Sequence, residues 1–139
     1  VVGPVNAVAV AEHTMFLLLA AARVGIELDS AVRKGHFSVR GETHSMELNG
    51  KRLLLVGYGH IGRQVARRAA SFGMQISVFD PYASRSTDIP VNFVDSLDAA
   101  LMQSDVVSLH VPLTADTRGI LGRRRGFCTL GRWSTRDER

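Results

Sequence analysis

The sequence predicts an α/β fold: a doubly wound parallel sheet of about four strands, incomplete, with a long helix ahead of it. Three observations predict it. Short apolar runs alternate with helix-patterned segments, and the connections between them are short. A glycine cluster, Gly57-Tyr58-Gly59-His60-Ile61-Gly62, lies between the first such run and the helix that follows. An acid, Asp80, closes the second run 18 residues beyond Gly62.

Asn6 is placed to cap a helix over Ala7 to Arg23, with Val8, Met15, Leu18, Leu19 and Ala22 as its apolar stripe. Glu12 and His13 interrupt this run, which falls short of the ~20 clean apolar residues that span a bilayer. No basic stretch precedes it, so neither a membrane segment nor a signal peptide is expected. Gly25 interrupts the helix, and Asp29 or Ser30 starts a second, short one ending near Gly35. His36 to Glu47 lacks a period and is expected to be loop, and Leu48-Asn49-Gly50-Lys51 forms a turn.

Arg52-Leu53-Leu54-Leu55-Val56 is a continuous apolar run, as suits a strand buried on both faces. Ile61 to Phe72 is amphipathic, with Ile61, Val65 and Ala69 on one stripe, and Gly73 stops it. Gln75 to Phe79 is the second strand, and Val91 to Val94 a weaker third. Ser96 caps a helix to about Gln103, and Val106 to Val111 is the fourth strand, closed by Pro112.

A chain of 139 residues, 45% of them apolar and 22% charged, suits one ordinary domain with a real core. That composition excludes a disordered chain. A single cysteine excludes an internal disulfide framework and a cysteine-built zinc cluster, and it favours a reducing, cytoplasmic compartment. His36 and His44 have no partners at metal-like spacing, so no metal is expected. The formal charge of +4 is concentrated at one end. Arg118 to Arg139 holds seven arginines against Asp137 and Glu138, a net of +5, which leaves −1 for the rest. A nucleic-acid partner is therefore not expected of the domain body.

The glycine cluster has the form G-x-G-x-x-G in the context its chemistry requires, after a strand and opening a helix. Gly57 lets the chain turn tightly off the strand. Gly59, without a side chain, lets a diphosphate approach the backbone, and Gly62 lets the helix pack closely on the strand. The helix N-terminus offers amides and partial positive charge to the phosphates. Asp80 is placed to accept hydrogen bonds from an adenosine ribose and to repel a 2′-phosphate, which favours NAD over NADP. Arg85 lies close enough in sequence to moderate that preference. FAD and S-adenosyl compounds remain alternative ligands for such a Rossmann-type site.

Several runs together resemble a known family. They are Asn6-Ala7-Val8-Ala9-Val10-Ala11-Glu12-His13-Thr14, Arg23, Leu48-Asn49-Gly50-Lys51 and Val56 to Gly62. Phe79-Asp80-Pro81-Tyr82, His110-Val111-Pro112-Leu113-Thr114 and Thr117-Arg118-Gly119-Ile120-Leu121 continue the match in order. Over about residues 3–122 the chain resembles the NAD-binding domain of the D-isomer-specific 2-hydroxyacid dehydrogenases. The resemblance implies NAD-dependent hydride transfer between a D-2-hydroxy acid and its 2-keto acid. It implies that the loop around Tyr58, His60 and Ile61 meets the diphosphate through its backbone and Asp80 the ribose. It further implies that His110, Val111 and Pro112 line the adenine-ribose side and that Thr117 lies near the cofactor. Read by itself, His110 is a polar strand end with no acid/base role. A small 2-hydroxy or 2-keto acid substrate and a homodimer are implied for the intact protein. A non-enzymatic NAD-sensing module of the same fold is the rival reading.

The family's catalytic Arg, in an Ala-Arg-Gly motif, and its Glu and His all lie beyond a fifth strand, and none is placed here. After Gly122 the pattern collapses into Arg123-Arg124-Arg125-Gly126-Phe127-Cys128, and Arg132 precedes Trp133 rather than Gly. The expected organisation is a partial NAD-binding domain with a leading interdomain helix over 1–122 and an aberrant basic tail over 123–139, out of frame or truncated. The chain is expected to be an inactive cofactor-binding fragment.

Overall fold

A computed structural model describes residues 4–41 and 45–122. The basic tail, 123–139, and His44 lie outside the described residues.

A short 3-10 turn, Pro4–Asn6, leads into α1, Ala7–Ala22. Asn6 holds the cap position, but its side chain makes no capping bond. The buried stripe is Ala7, Ala11, Met15, Leu18 and Ala22, and Val8 is exposed. Alanine at three of these five positions lets α1 lie close against its neighbour. The second helix starts earlier than its sequence suggests: α2 spans Gly25–Arg33. The break falls at Val24, which takes the left-handed conformation with φ 51°. A β-branched residue rarely adopts it, so Gly25 opens α2 rather than ending α1. Within the expected loop, Phe37–Gly41 forms another 3-10 turn.

The strands β1, Arg52–Val56, and β2, Gln75–Phe79, have the predicted limits. The helix between them, α3, spans His60–Ser71, and Gly73 follows with φ +72°. Its buried residues are Gly62, Val65, Ala66 and Ala69; Ile61 is half-buried. The third strand, β3, is only Asn92–Phe93. The Ser96 hydroxyl accepts from the Ala99 N–H at 3.3 Å and caps α4, Leu97–Gln103. The fourth strand, β4, is Val106–Leu109, two residues shorter than predicted. The His110 N–H still donates to the Val56 carbonyl at 2.7 Å, but the chain then leaves the sheet toward Pro112.

All four strands are parallel, in the order β3-β2-β1-β4. The chain thus reverses its direction of travel across the sheet at β1, the switch point where such folds bind dinucleotides. The central β1 is buried on both faces. Leu53 and Leu55 join Met15, Leu18, Val65 and Ala69 on the face covered by α1 and α3. Leu54 and Val56 join Leu97 and Ala100 on the α4 face. This two-sided burial is why β1 is a continuous apolar run.

At the opposite end of β1, Arg52 and Asp105 clamp β1 to the start of β4. The Arg52 N–H, Nε and Nη2 donate to the Asp105 carboxylate at 2.8, 3.1 and 2.9 Å. The guanidinium hydrogen bonds, followed by the backbone N–H, lower the Asp105 pKa from 3.8 to about 2. A depressed carboxylate stabilises the fold above its unfolded pKa and loses that contribution as pH falls through the folded one. The pair is partly exposed, so solvent screens it and its contribution is small. Asp105→Asn should lower the melting temperature slightly at neutral pH and flatten its decline between pH 3.8 and about 2. Parallel melting curves for the two proteins across that window would contradict the clamp.

Candidate functional site

Everything in the site starts where β1 runs out of strand. Gly57 turns the chain with φ +99°. Its N–H donates to the Phe79 carbonyl at 3.0 Å, so the turn stays tied to the end of β2. A Cβ at Gly57 would lie 2.6 Å from the His110 carbonyl oxygen. The loop is therefore pressed between the ends of β2 and β4, and no side chain fits there. Gly62, in the first turn of α3, is held as tightly: a Cβ there would lie 2.3 Å from the Gly57 carbonyl oxygen.

Gly59 differs from both. It occupies the N-cap of α3 in extended backbone, and a Cβ built on it would meet nothing within 4 Å. No side chain caps this helix, and its first turn holds no acid. The amides of His60, Ile61 and Gly62 have no carbonyl one turn earlier in the helix to bond. They leave an open, electropositive surface beside bare backbone, which fits an anionic diphosphate.

Asp80 ends β2 and stands directly beside this surface. Its Oδ2 accepts from the Tyr58 N–H at 2.7 Å; its Oδ1 accepts from the N–H groups of Tyr82 and Ala83 at 2.9 and 3.1 Å. The carboxylate thus fixes the Tyr58 amide of the loop. Its oxygens also keep lone pairs for further donors, since a carboxylate offers about four acceptor positions. Hydroxyls of a ribose are such donors, so the residues present fit a dinucleotide.

The other predicted residues fall into two groups. His110, Val111 and Pro112 lie across Gly57 from Asp80, because β4 and β2 flank β1 on opposite sides. The His110 Nε2 lies 2.9 Å from the Ser108 hydroxyl, and burial lowers the imidazole pKa below its usual 6.5. It stays neutral at pH 7. The Thr117 hydroxyl donates to the Pro112 carbonyl at 2.5 Å and accepts from the Thr114 N–H at 2.8 Å. It thereby closes the turn that carries Pro112. Thr-x-x-Thr after a proline was a readable signal for such a hydroxyl-closed turn. Arg85 is drawn away into an ion pair with Asp95. Near β4, a cavity of about 360 Å³ is lined by Val10, Thr14, Leu17, Ser108 and His110, and no glycine-loop residue lines it.

Tyr58 occupies an unspecified position of the glycine pattern, yet the residue is only 2% exposed. It packs edge-on against Phe93 at 5.4 Å between centroids, beneath the loop rather than in it. What Tyr58 presents near the site is backbone. Its ring, Arg63 and Thr87 were not singled out by the sequence, because no spacing rule marks such a long-range contact.

Comparison with known proteins gives the same picture. The sequence profile of the D-isomer specific 2-hydroxyacid dehydrogenase NAD binding domain matches residues 15–126. Hydroxypyruvate reductase of Thermotoga maritima is 45% identical over 118 residues, which covers 85% of this chain and 38% of that protein. D-3-phosphoglycerate dehydrogenase of Methanocaldococcus jannaschii is 39% identical over 122 residues, covering 86% of this chain and 23% of that protein. The NAD-dependent formate dehydrogenase of Staphylococcus aureus, solved in complex with NAD, superposes with a TM-score of 0.75 at 32% identity. That match covers 83% of this chain and 34% of the other. The chain thus spans 38% or less of the length of these relatives. With the profile running from within α1 to beyond the fourth strand, the chain belongs to the D-isomer specific 2-hydroxyacid dehydrogenase family and carries that family's NAD-binding domain.

Proposed function

We propose that this chain binds NAD across the switch point, and that the whole protein uses it to interconvert a D-2-hydroxy acid and its 2-keto acid. One observation carries the reading. The glycine whose backbone is open stands at an uncapped, acid-free helix N-terminus, next to a carboxylate that ends the neighbouring strand. NAD, when bound, supplies the hydride acceptor for oxidation of the CH–OH group. The residues of this chain bind and orient it. Gly59 and the first amides of α3 take the diphosphate, Asp80 the adenosine ribose, and the segment His110–Pro112 the far side of Gly57. None of the described residues is assigned to proton transfer. The exposed apolar side chains of α1, Phe16 and Leu17 among them, support a homodimer for the whole protein. The lone cysteine supports a cytoplasmic setting.

Calorimetric titration with NAD and NADP tests the binding. NAD should bind, with NADP at least about tenfold weaker, because a 2′-phosphate would lie against the Asp80 carboxylate. Asp80→Ala removes three backbone hydrogen bonds as well as the charge, so the loss of NAD affinity alone is ambiguous. The ratio of the two affinities is not, and it should fall toward one. An Asp80→Ala protein with the unmodified ratio would remove the carboxylate from the ribose site.

A further inference from the structure

We infer that Tyr58, Thr87 and Arg63 are positioning residues, a clamp that locks the segment carrying Asp80 onto the glycine loop and thereby sets the selectivity between NAD and NADP. The inference rests on the NAD reading above and goes beyond it in naming what aims the carboxylate.

The segment after β2, residues 80–88, has little regular structure, yet it is tied at successive points to the loop and to α3. At its start, Asp80 bonds the Tyr58 amide on one side and the Tyr82 and Ala83 amides on the other. In its middle, Arg63 Nη1 and Nη2 donate to the Ser86 and Ser84 carbonyls at 3.2 and 3.4 Å. The same guanidinium lies over the Tyr58 ring, 4.6 Å from its centroid. Toward its end, the Tyr58 hydroxyl meets the Thr87 hydroxyl at 2.9 Å, and the Thr87 oxygen also accepts from the Ile89 N–H at 3.3 Å. Arg67, one turn further along α3, pairs with Asp88.

These ties differ in strength. The Arg67–Asp88 pair and the two Arg63 contacts are exposed, and solvent weakens them. The hydroxyl pair is part-buried, and its tyrosine is fixed by Phe93 and by the core beneath the loop. Beyond the bonds of Asp80 itself it is the sheltered tie: losing the Thr87 hydroxyl leaves that of Tyr58 without this partner, while Thr87 keeps its bonds to Ile89 when the tyrosine hydroxyl goes. Without it, residues 84–87 are held only by weak bonds, and the carboxylate is free to follow Tyr82 and Ala83 away from the Tyr58 amide. Both the grip on a ribose hydroxyl and the repulsion of a 2′-phosphate depend on that aim.

The test compares the unmodified chain with Tyr58→Phe, Thr87→Val and Thr87→Ser. A purely structural role would lower the folded fraction and weaken NAD and NADP by the same factor, leaving their ratio constant. The clamp predicts instead that the ratio falls about fivefold in Tyr58→Phe and in Thr87→Val, as the loss of one sheltered hydrogen bond allows. Thr87→Ser keeps the hydroxyl and should restore the ratio. Hydrogen exchange without ligand should quicken at the amides of 82–87 in the first two variants and not in β1 or β2. A selective unmodified chain whose ratio and exchange survive both substitutions overturns the clamp alone. An unmodified chain that binds neither dinucleotide overturns the NAD reading, and the selectivity claim with it.

Discussion

Gly59→Ala should cost NAD affinity at least about a hundredfold while the chain stays folded. The two halves of that expectation come from different physics. On the protein side, the added methyl meets nothing within 4 Å, and the backbone there, φ −75°, suits any residue. Alanine is a poorer N-cap than glycine by about 1 kcal/mol. Reduced freedom in the unfolded chain returns about 0.4–1 kcal/mol, so the net change in stability is small. On the ligand side, the methyl projects into the space where a diphosphate must touch the backbone. Losing that approach, together with the hydrogen bonds it permits, amounts to about 2.7 kcal/mol or more for a hundredfold change. Thermal melting and NAD titration of the same preparation check both halves. Undiminished NAD binding in Gly59→Ala would move the diphosphate off this glycine and undo the site as drawn.

Why Gly59 stands apart from its neighbours also shows where the sequence was readable. The motif marks three glycines alike, and the physical job of each follows from the strand before it and the helix after it. The structure gives the three different neighbours: the His110 carbonyl for Gly57, the Gly57 carbonyl for Gly62, and open space for Gly59. The strands β1 and β2 were legible to the residue because β1 is a continuous apolar run and β2 a short strand-forming segment with Ile76 and Val78 buried, each set between turn residues. The C-terminal end of β4 was not. Its hydrogen bonding to β1 stops after His110, for reasons that lie in the turn closed by Thr117 rather than in the apolar pattern. The start of α2 was placed four or five residues late because a left-handed valine, which no propensity favours, supplies the break that glycine was expected to make. Val8 was placed on the apolar stripe by helical spacing, but the helix turns its alanine face inward and leaves Val8 outside. Asp80 was singled out by its spacing from Gly62, and its bonds to the Tyr82 and Ala83 amides were not, since a sequence marks an acid without marking what it accepts.

The glycines at 57 and 62 should show the reverse behaviour of Gly59, with stability lost first and binding lost as a consequence. A methyl on Gly62 would sit 2.3 Å from the Gly57 oxygen, and that oxygen belongs to backbone tied at its amide to Phe79. Neither partner can rotate away, so α3 must shift off β1. Overpacking of this kind costs about 1–3 kcal/mol, occasionally more, and alanine recovers up to about 1 kcal/mol through its better helix propensity. Gly57→Ala has no such recovery. It combines contact with the His110 oxygen at 2.6 Å with a φ of +99° that a Cβ disfavours. That strain adds about 1–3 kcal/mol. Gly57→Ala should therefore melt lowest, by roughly 10 °C or more below the unmodified chain at about 3 °C per kcal/mol, with Gly62→Ala between it and Gly59→Ala. The order matters more than any one value, because it separates a loop built to admit a ligand from a loop that is merely rich in glycine. If Gly59→Ala proved the least stable of the three, the open space beside it would be an illusion of the static structure, and the diphosphate would have no reason to sit there.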